Sequence, residues 1–91
     1  EMKAVSQTTQ FARDVKLMRR RGRDIAKLQS VVRLLAADAS LPPKHRDHGL
    51  AGPRQSSRGC HIEPDWILIC TPATEWLRLE RTGTHRDLFK K

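Results

Sequence analysis

The sequence lacks the ligand spacings that structural zinc sites use. It has two cysteines and four histidines, but no Cys-x-x-Cys or His-x-x-x-His pair, so a zinc site is not expected. Cys60 and Cys70 fall in or beside apolar segments, which fits reduced cytosolic thiols better than a disulfide framework. We therefore expect no metal ion and no other cofactor.

Long apolar runs are also missing. No stretch approaches the length that spans a bilayer, and no apolar segment follows the basic N-terminus as in a secretory signal. These absences predict a cytoplasmic protein. Repeats and low-complexity segments are absent as well, and 91 residues are enough for one domain, 1–91, with a single modest core.

Acidic residues are scarce beside basic ones. Ten Asp and Glu face eighteen Lys and Arg, which gives a formal net charge of +8. A charge of this size favours an acidic partner, and by itself it leaves nucleic acid, an anionic membrane surface and an acidic protein open. The apolar share of 37% indicates a globular chain rather than a disordered one.

The N-terminal half predicts a short strand, residues 3–7, and then two amphipathic helices. Thr8 or Thr9 is a suitable N-cap for the first helix, which should end in a cluster of arginines before Gly22. The second should start from Asp24, because apolar residues recur behind it at helical spacing. Together they form an α-hairpin whose apolar stripes need a sheet to cover.

The C-terminal half predicts three strands, at 56–62, 66–71 and 76–81, joined by short turns as an antiparallel meander. Residues 82–84 should break the last strand. Thr84 and Asp87 then match a capping box, which predicts one final helical turn. The predicted fold is a small α+β domain of order β-α-α-β-β-β, with the α-hairpin packed on an antiparallel sheet and a short C-terminal helical turn.

A heptapeptide, residues 60–66, carries the densest chemistry in the chain: Cys-His-Ile-Glu-Pro-Asp-Trp. In a meander, the end of its first strand, the start of its second and the end of its third share one edge. That edge should hold His61, Asp65 and the segment 81–85. His48 lies in a loop long enough to reach the same edge, although nothing in the sequence compels it to.

Histidines, a carboxylate, an arginine and aromatic rings at one edge suit RNA cleavage by transphosphorylation. Histidine can act as general base toward the 2′-hydroxyl and as general acid toward the leaving oxygen. A cation can stabilise the charged transition state, and Trp66 or Phe89 can stack on an unpaired base. Each residue also has a plain structural interpretation, as a strand cap, a solvated surface group or a core ring. Only their convergence on one edge favours chemistry.

Three segments, 47–52, 60–69 and 81–85 with the Leu-Phe pair that follows, resemble the YafQ-type toxins. These toxins belong to the RelE/ParE superfamily of bacterial type II toxin–antitoxin modules. The resemblance implies a RelE-like fold and a ribosome-dependent mRNA endonuclease that acts in the ribosomal A site without a metal. It implies as partners a cognate antitoxin, the ribosome and mRNA, contact with promoter DNA only through the antitoxin complex, and no membrane.

The resemblance also implies roles for individual residues. It assigns acid–base roles to His48, His61, Asp65 and His85, matches Trp66 and Phe89 to the family's site aromatics, and matches Arg81 to a phosphate-facing arginine. We expect further RNA contacts from Arg58, Lys44 and Arg46. The chain departs from the family pattern at 53–57, where relatives often carry aromatic residues, and at Gly59, where they often carry a carboxylate.

Two other functions stay open at this point. The same fold could inhibit a protein target such as DNA gyrase without cutting RNA, or the chain could be a non-enzymatic basic nucleic-acid-binding module. A purely binding protein has no need of acid–base groups, so the histidine set favours the endonuclease.

Overall fold

The computed structural model describes residues 2–45, 48–49 and 57–89. The elements in chain order are β1 (Ala4–Gln7), α1 (Thr9–Arg20), α2 (Ile25–Ala36), a 3₁₀ turn (Pro43–His45), β2 (His48–Gly49), β3 (Arg58–Glu63), β4 (Trp66–Pro72), β5 (Trp76–Gly83) and α3 (His85–Phe89). None of the helices in this part of the chain combines the length and apolar character that crossing a bilayer requires.

The strands form one sheet in the order β1-β5-β4-β3-β2. The predicted meander is confirmed, because β3 pairs antiparallel with β4 and β4 antiparallel with β5. The prediction of a purely antiparallel sheet is wrong in one respect: β1 runs parallel to β5, with Val5 opposite Leu77. The α-hairpin causes this, because it carries the chain away from β1 before the meander begins. The two-residue β2 was not predicted.

The ends of the two long helices follow their sequence signals. The Thr8 side chain caps α1 by accepting from the Phe11 backbone N–H at 2.9 Å. The helix ends before Gly22, whose φ of 83° suits glycine at this position. The Asp24 carboxylate then caps α2 by accepting from the Ala26 N–H at 3.0 Å. The predicted α-hairpin is therefore confirmed.

The core lies between the α-hairpin and one face of the sheet. Its buried residues are Phe11, Met18, Leu28, Val31, Ala36, Cys60, Ile62, Trp66, Leu68, Cys70, Leu77 and Leu79. Both cysteines are buried and in no disulfide, in agreement with the prediction of reduced thiols. Burial of this apolar face, rather than helix propensity, is what holds helices of this length in place.

The last strand is longer than predicted. Residues 82–84 were expected to break it, yet β5 continues through Gly83, which pairs with Ile67. The extension persists because Thr82 is fixed on several sides. Its hydroxyl donates to the Ile67 carbonyl at 2.8 Å, and its backbone N–H donates to the Asp14 carboxylate at 3.1 Å.

Candidate active site

His85 and Asp65 are in direct contact at one end of the sheet. His85 Nδ1 lies 2.8 Å from Asp65 Oδ1, and the His85 backbone N–H donates to the same oxygen at 3.2 Å. Because a carboxylate only accepts, Nδ1 carries a proton, and the second ring nitrogen, Nε2, does not face Asp65. The pair thus has a defined tautomer and a fixed ring orientation.

The Asp65 carboxylate is held in its ionised form. The His85 imidazole, and then the His85 backbone N–H, lower the pKa of Asp65 from its usual value, and Arg23 contributes to the same shift through its charge. Both partners are more than half exposed, so the contact is open to substrate. An ionised Asp65 keeps its hold on the His85 ring at neutral pH.

His61 stands beside this pair. Its ring centroid is 5.5 Å from that of His85, with the two planes inclined by 40°. The predicted convergence of His61, Asp65 and His85 is therefore present in the structure. Two imidazoles at this spacing are within reach of a single phosphodiester group.

A fourth residue, His45, holds the backbone at His61. His45 is buried, and its Nδ1 donates to the His61 carbonyl at 2.6 Å. This contact ties the 3₁₀ turn to β3 beneath the site. His45 was not among the predicted site residues, and the turn of Pro43 and Lys44 folds it inward.

The two predicted base-contacting rings have different environments. Phe89 is 38% exposed and its ring centroid lies 6.2 Å from that of His85, so it is available to an unpaired base. Trp66 is completely buried and donates from Nε1 to the Thr82 hydroxyl at 2.8 Å. The structure therefore gives Trp66 a place in the core beneath the site, and only Phe89 keeps the predicted stacking role.

Arg81 shares a face of the sheet with His61. Residues directly opposite on neighbouring strands point to the same face. Ile67 pairs with His61, and Ile69, two residues further along β4, pairs with Arg81. The Arg81 guanidinium is held at Nε by Asp14 Oδ2, at 2.7 Å, and at Nη2 by Asp14 Oδ1, at 3.3 Å.

Asp14 is a site residue that the sequence interpretation missed. A charged residue of an amphipathic helix is expected on its solvated face, whereas the exposure of Asp14 is only 6%. The signal was available: Asp14 is three residues after Phe11 and four before Met18, so it falls on the buried stripe of the helix. A carboxylate on an apolar stripe requires a buried partner, and Arg81 is that partner.

The helix that carries His85 and Phe89 is anchored by the predicted capping box. Asp87 Oδ2 accepts from the Thr84 backbone N–H at 3.0 Å, and Thr84 Oγ1 accepts from the Asp87 N–H at 3.1 Å. Arg21, at the end of the first long helix, adds an ion pair to Asp87 at 2.7 Å. Chiefly through the Arg21 hydrogen bond, the pKa of Asp87 falls to about 2. A Cβ at Gly83 would meet Asp87 at 3.0 Å, so glycine permits this packing.

A second carboxylate, Glu63, joins the site to the α-hairpin. It accepts from Lys27 Nζ and from Arg23 Nη1, each at 2.8 Å. These two contacts, Lys27 first, lower the pKa of Glu63. The Arg23 guanidinium also lies 6.0 Å from the centre of the Trp66 ring. The turn before Asp65 is thereby fixed to the helix connection and to the first turn of α2.

The other predicted site residues, one acid–base residue and three RNA contacts, are more scattered. The backbone of His48 pairs opposite Gly59. Across the next strands Gly59 pairs with Ile69, and Ile69 pairs with Arg81. Lys44 is exposed and lines a cavity of about 520 Å³ between α2 and the Glu63 turn. Arg58 begins β3 opposite Cys70, at the end away from Asp65. Arg46 lies outside the described residues.

A basic surface occupies the last turns of α1. Lys16, Arg19 and Arg20 line an open concavity of about 430 Å³. They form no ion pair with any residue in the described ranges, in contrast to Arg21 and Arg23. Within the same ranges, no three His, Cys, Asp or Glu side chains group as metal ligands.

Comparison with known proteins identifies the family. The family model described as "Bacterial toxin of type II toxin-antitoxin system, YafQ" matches residues 3–90. The mRNA interferase toxin YafQ of Escherichia coli strain K12 is 44% identical over 81 residues, which cover 88% of each chain. The crystal structure of YafQ from E. coli strain BL21(DE3) matches with a TM-score of 0.91 and 40% identity, over 96% of this chain and 98% of that one.

A toxin chain solved with its antitoxin matches equally well. The structure of the E. coli DinJ-YafQ toxin-antitoxin complex gives a TM-score of 0.91 and 40% identity, over 98% of this chain and 99% of that chain. The resemblance found in the sequence is thus confirmed by family, relatives and fold. The chain belongs to the YafQ family of toxins of bacterial type II toxin–antitoxin systems.

Proposed function

We propose that this toxin is a ribosome-dependent mRNA endonuclease that cleaves mRNA in the ribosomal A site by metal-independent acid–base transphosphorylation. The observation that carries the proposal is the His85–Asp65 contact beside the His61 ring. It supplies two imidazoles and an orienting carboxylate at one exposed edge. The E. coli relative is named an mRNA interferase, which supports the same reaction class.

The reaction needs two proton transfers. One imidazole takes the proton of the 2′-hydroxyl, and the 2′-oxygen forms a bond to phosphorus. The bond from phosphorus to the 5′-oxygen breaks, and the second imidazole protonates that oxygen. His85 presents Nε2 to the RNA because Asp65 engages Nδ1. The products are a 2′,3′-cyclic phosphate and a 5′-hydroxyl, with no water consumed in this step.

Charge and stacking complete the site. The Arg81 guanidinium, on the same sheet face as His61, stabilises the negative charge that develops on the phosphoryl oxygens. Phe89, about one helical turn beyond His85, provides a ring on which an unpaired base can stack. The family resemblance assigns His48 to the same acid–base set, and its backbone pairs opposite Gly59.

The ribosome supplies what the small site lacks. Holding RNA in line for attack can be worth about 7–11 kcal/mol of the barrier, and a domain of 91 residues offers little surface for that purpose. Lys16, Arg19 and Arg20 form no ion pairs with described residues, so their charges are available to ribosomal RNA phosphates. Docking through phosphates should weaken steeply as salt rises.

The proposed protein partner is an acidic antitoxin. The net charge of +8 favours rapid, oriented association with an acidic chain, and a related toxin is seen in complex with DinJ. Contact with promoter DNA would then come through the antitoxin complex. Co-expression with the neighbouring reading frame should relieve growth arrest and yield a co-purifying complex. Persistent arrest with no complex would contradict the partnership.

The experiment that tests the function is primer extension on mRNA from ribosomes incubated with the purified toxin, with end analysis of the fragments. We expect new ends inside codons in the A site, carrying 5′-hydroxyl and 2′,3′-cyclic phosphate groups. A gyrase supercoiling assay runs in parallel. Intact mRNA together with inhibited supercoiling would replace the endonuclease by a protein-directed toxin, and intact mRNA with RNA binding alone would indicate a binding module.

A further inference from the structure

We infer that Asp14 is a positioning residue for the reaction. It lies on the buried side of α1 and fixes the Arg81 guanidinium in the orientation that meets the RNA phosphate. The inference rests on the proposed function, because it explains why the Arg81 guanidinium has a fixed orientation toward the phosphate. Asp14 lies outside the group formed by His61, Asp65 and His85.

The geometry at Asp14 leaves little freedom. Its two carboxylate oxygens accept from four donors: Arg81 Nε at 2.7 Å, Arg81 Nη2 at 3.3 Å, the Thr82 backbone N–H at 3.1 Å and Gln10 Nε2 at 3.0 Å. With the Asp14 side chain only 7% exposed, the carboxylate cannot turn toward water. A planar guanidinium that is gripped on its Nε–Nη2 side has a fixed plane and a fixed direction.

The position of Asp14 follows from the sheet topology. Strand β1 covers β5 only as far as Leu79, so the outer edge of β5 is uncovered from Glu80 onward. Helix α1 crosses this edge directly after β1, and Asp14 accepts the Thr82 N–H that a neighbouring strand would otherwise take. The same carboxylate then reaches the Arg81 side chain. One residue thus closes the sheet edge and orients the cation.

The grip also determines which part of Arg81 is left for substrate. Nε and Nη2 face Asp14, which leaves Nη1, at the opposite corner of the guanidinium, for a phosphoryl oxygen. The Arg81 side chain is 25% exposed, enough for such an approach and too little for free rotation. An arginine that is already oriented loses less conformational entropy when the transition state forms.

A purely structural ion pair is the competing explanation, and a double-mutant comparison separates the two. Asp14→Asn keeps the shape and one oxygen acceptor, which the Thr82 N–H and Arg81 Nε share. It removes the negative charge and turns an amide N–H₂ toward Arg81 Nη2, so the two-point hold on the guanidinium is lost. Single-turnover cleavage of ribosome-bound mRNA is measured at saturating toxin for the wild type, Asp14→Asn, Arg81→Gln and the double variant. Glu75→Gln, at an exposed turn, is the matched control.

We expect Asp14→Asn to lower the single-turnover rate about 10–100-fold with ribosome affinity unchanged, the loss typical of a misplaced catalytic group. In the Arg81→Gln background the same change should alter the rate less than about twofold, because groups that act as one unit are not additive. Equal losses in both backgrounds, or a wild-type rate in a folded Asp14→Asn variant, would overturn the inference.

A second measurement does not depend on cleavage. In ¹⁵N-labelled toxin, the Nε–Hε resonance of Arg81, identified by its absence in Arg81→Gln, should be sharp and slow to exchange with solvent in the wild type. In Asp14→Asn it should broaden or exchange faster, because a neutral amide oxygen accepts more weakly than a carboxylate and the Nη2 contact is gone; an unchanged resonance contradicts the grip. Should Asp14→Asn fail to fold, Asp14→Glu, which keeps the charge but lengthens the arm, enters both comparisons with the same expected outcomes.

Failure of the proposed function would look different. Unsubstituted toxin would then leave ribosome-bound mRNA intact, whatever residue stands at position 14, and the Arg81 resonance would still report whether Asp14 fixes the guanidinium. Cleavage by the wild type with additive losses at the two positions would refute the inference alone.

Discussion

His85 donates from Nδ1 to the Asp65 carboxylate across 2.8 Å, and the two residues are 20 positions apart in the chain. The contact exists because the start of β4 and the end of β5 lie side by side. It leaves the Nε2 atom of His85 as the ring nitrogen available to RNA. The acid–base chemistry proposed for this toxin depends on that orientation.

The first prediction concerns this pair. Asp65→Asn should lower single-turnover cleavage of ribosome-bound mRNA by about 10–100-fold, because the His85 ring loses its orienting carboxylate. His85→Gln should lower it further, and the double variant should be no slower than His85→Gln alone, since the two residues act as one unit. Quench-flow rates check this. Losses that multiply in the double variant would show that Asp65 has a separate role.

The second prediction concerns Asp87, which anchors α3, the helix that carries His85 and Phe89. The folded-state pKa of Asp87 is about 2, against 3.8 for the free carboxyl, so the folded protein favours the ionised form. The stabilisation is therefore complete above about pH 4 and is lost as the pH falls toward 2. Asp87→Asn should reduce the free energy of unfolding by about 1–2 kcal/mol at pH 7, after allowance for solvent screening of the ion pair.

The measurement is urea unfolding of the wild type and Asp87→Asn at pH 7 and at pH 2.5, with Glu75→Gln as control. The difference between wild type and Asp87→Asn should shrink strongly at the lower pH. A difference of equal size at both pH values would mean that the Arg21 pair does not stabilise the helix. The control should show no such pH-dependent difference.

The third prediction concerns His45, whose Nδ1 holds the His61 carbonyl at 2.6 Å. His45→Leu fills the space but leaves that carbonyl without its donor, which should reduce stability by about 1–3 kcal/mol. His45→Asn can donate from its amide nitrogen and should recover a large part of the loss. Thermal and urea unfolding test the order wild type, Asn, Leu. Equal destabilisation by both substitutions would show that packing, rather than the hydrogen bond, is what His45 provides.

The site was predictable to the extent that strand order determines it. His61, Asp65 and His85 could be placed together because hairpin pairing brings strand ends together whatever the packing around them. The α-hairpin and the capping box at Thr84 were predictable for a similar reason, since each depends on residues close in sequence.

What the sequence did not reveal depends on contacts between distant elements. Asp14 was not singled out, because its partner Arg81 is 67 positions away. Trp66 was expected to face RNA, yet its hydrogen bond to Thr82 draws the indole into the core. The parallel pairing of β1 with β5 depends on where the α-hairpin returns the chain. Helical periodicity places Asp14 on the buried stripe of α1, but periodicity in one segment carries no information about which distant residue each of these groups contacts.

The fourth prediction concerns metal. Because both proton transfers are assigned to imidazoles, the chemical step should proceed without an inner-sphere metal ion. Ribosomes need a multivalent cation, so chelation alone is uninformative. Exchange of magnesium for cobalt hexammine, which keeps its ligands, should leave the cleavage rate within about threefold, because only a displaceable ligand sphere permits direct metal catalysis. Complete loss of cleavage with ribosome binding retained would contradict the assignment.

The central claim is that the ribosome and the histidine edge act together on mRNA, and one comparison tests it most directly. The same mRNA, free in solution or programmed in the A site of purified ribosomes, is incubated with wild-type toxin or His85→Gln, and single-turnover cleavage is followed by primer extension. We predict rapid cleavage of the ribosome-bound message by the wild type alone, with free RNA cut at least about 1000-fold more slowly, because orientation of the strand is lost. Equal cleavage of free and bound RNA, or unimpaired cleavage by His85→Gln, would contradict the account.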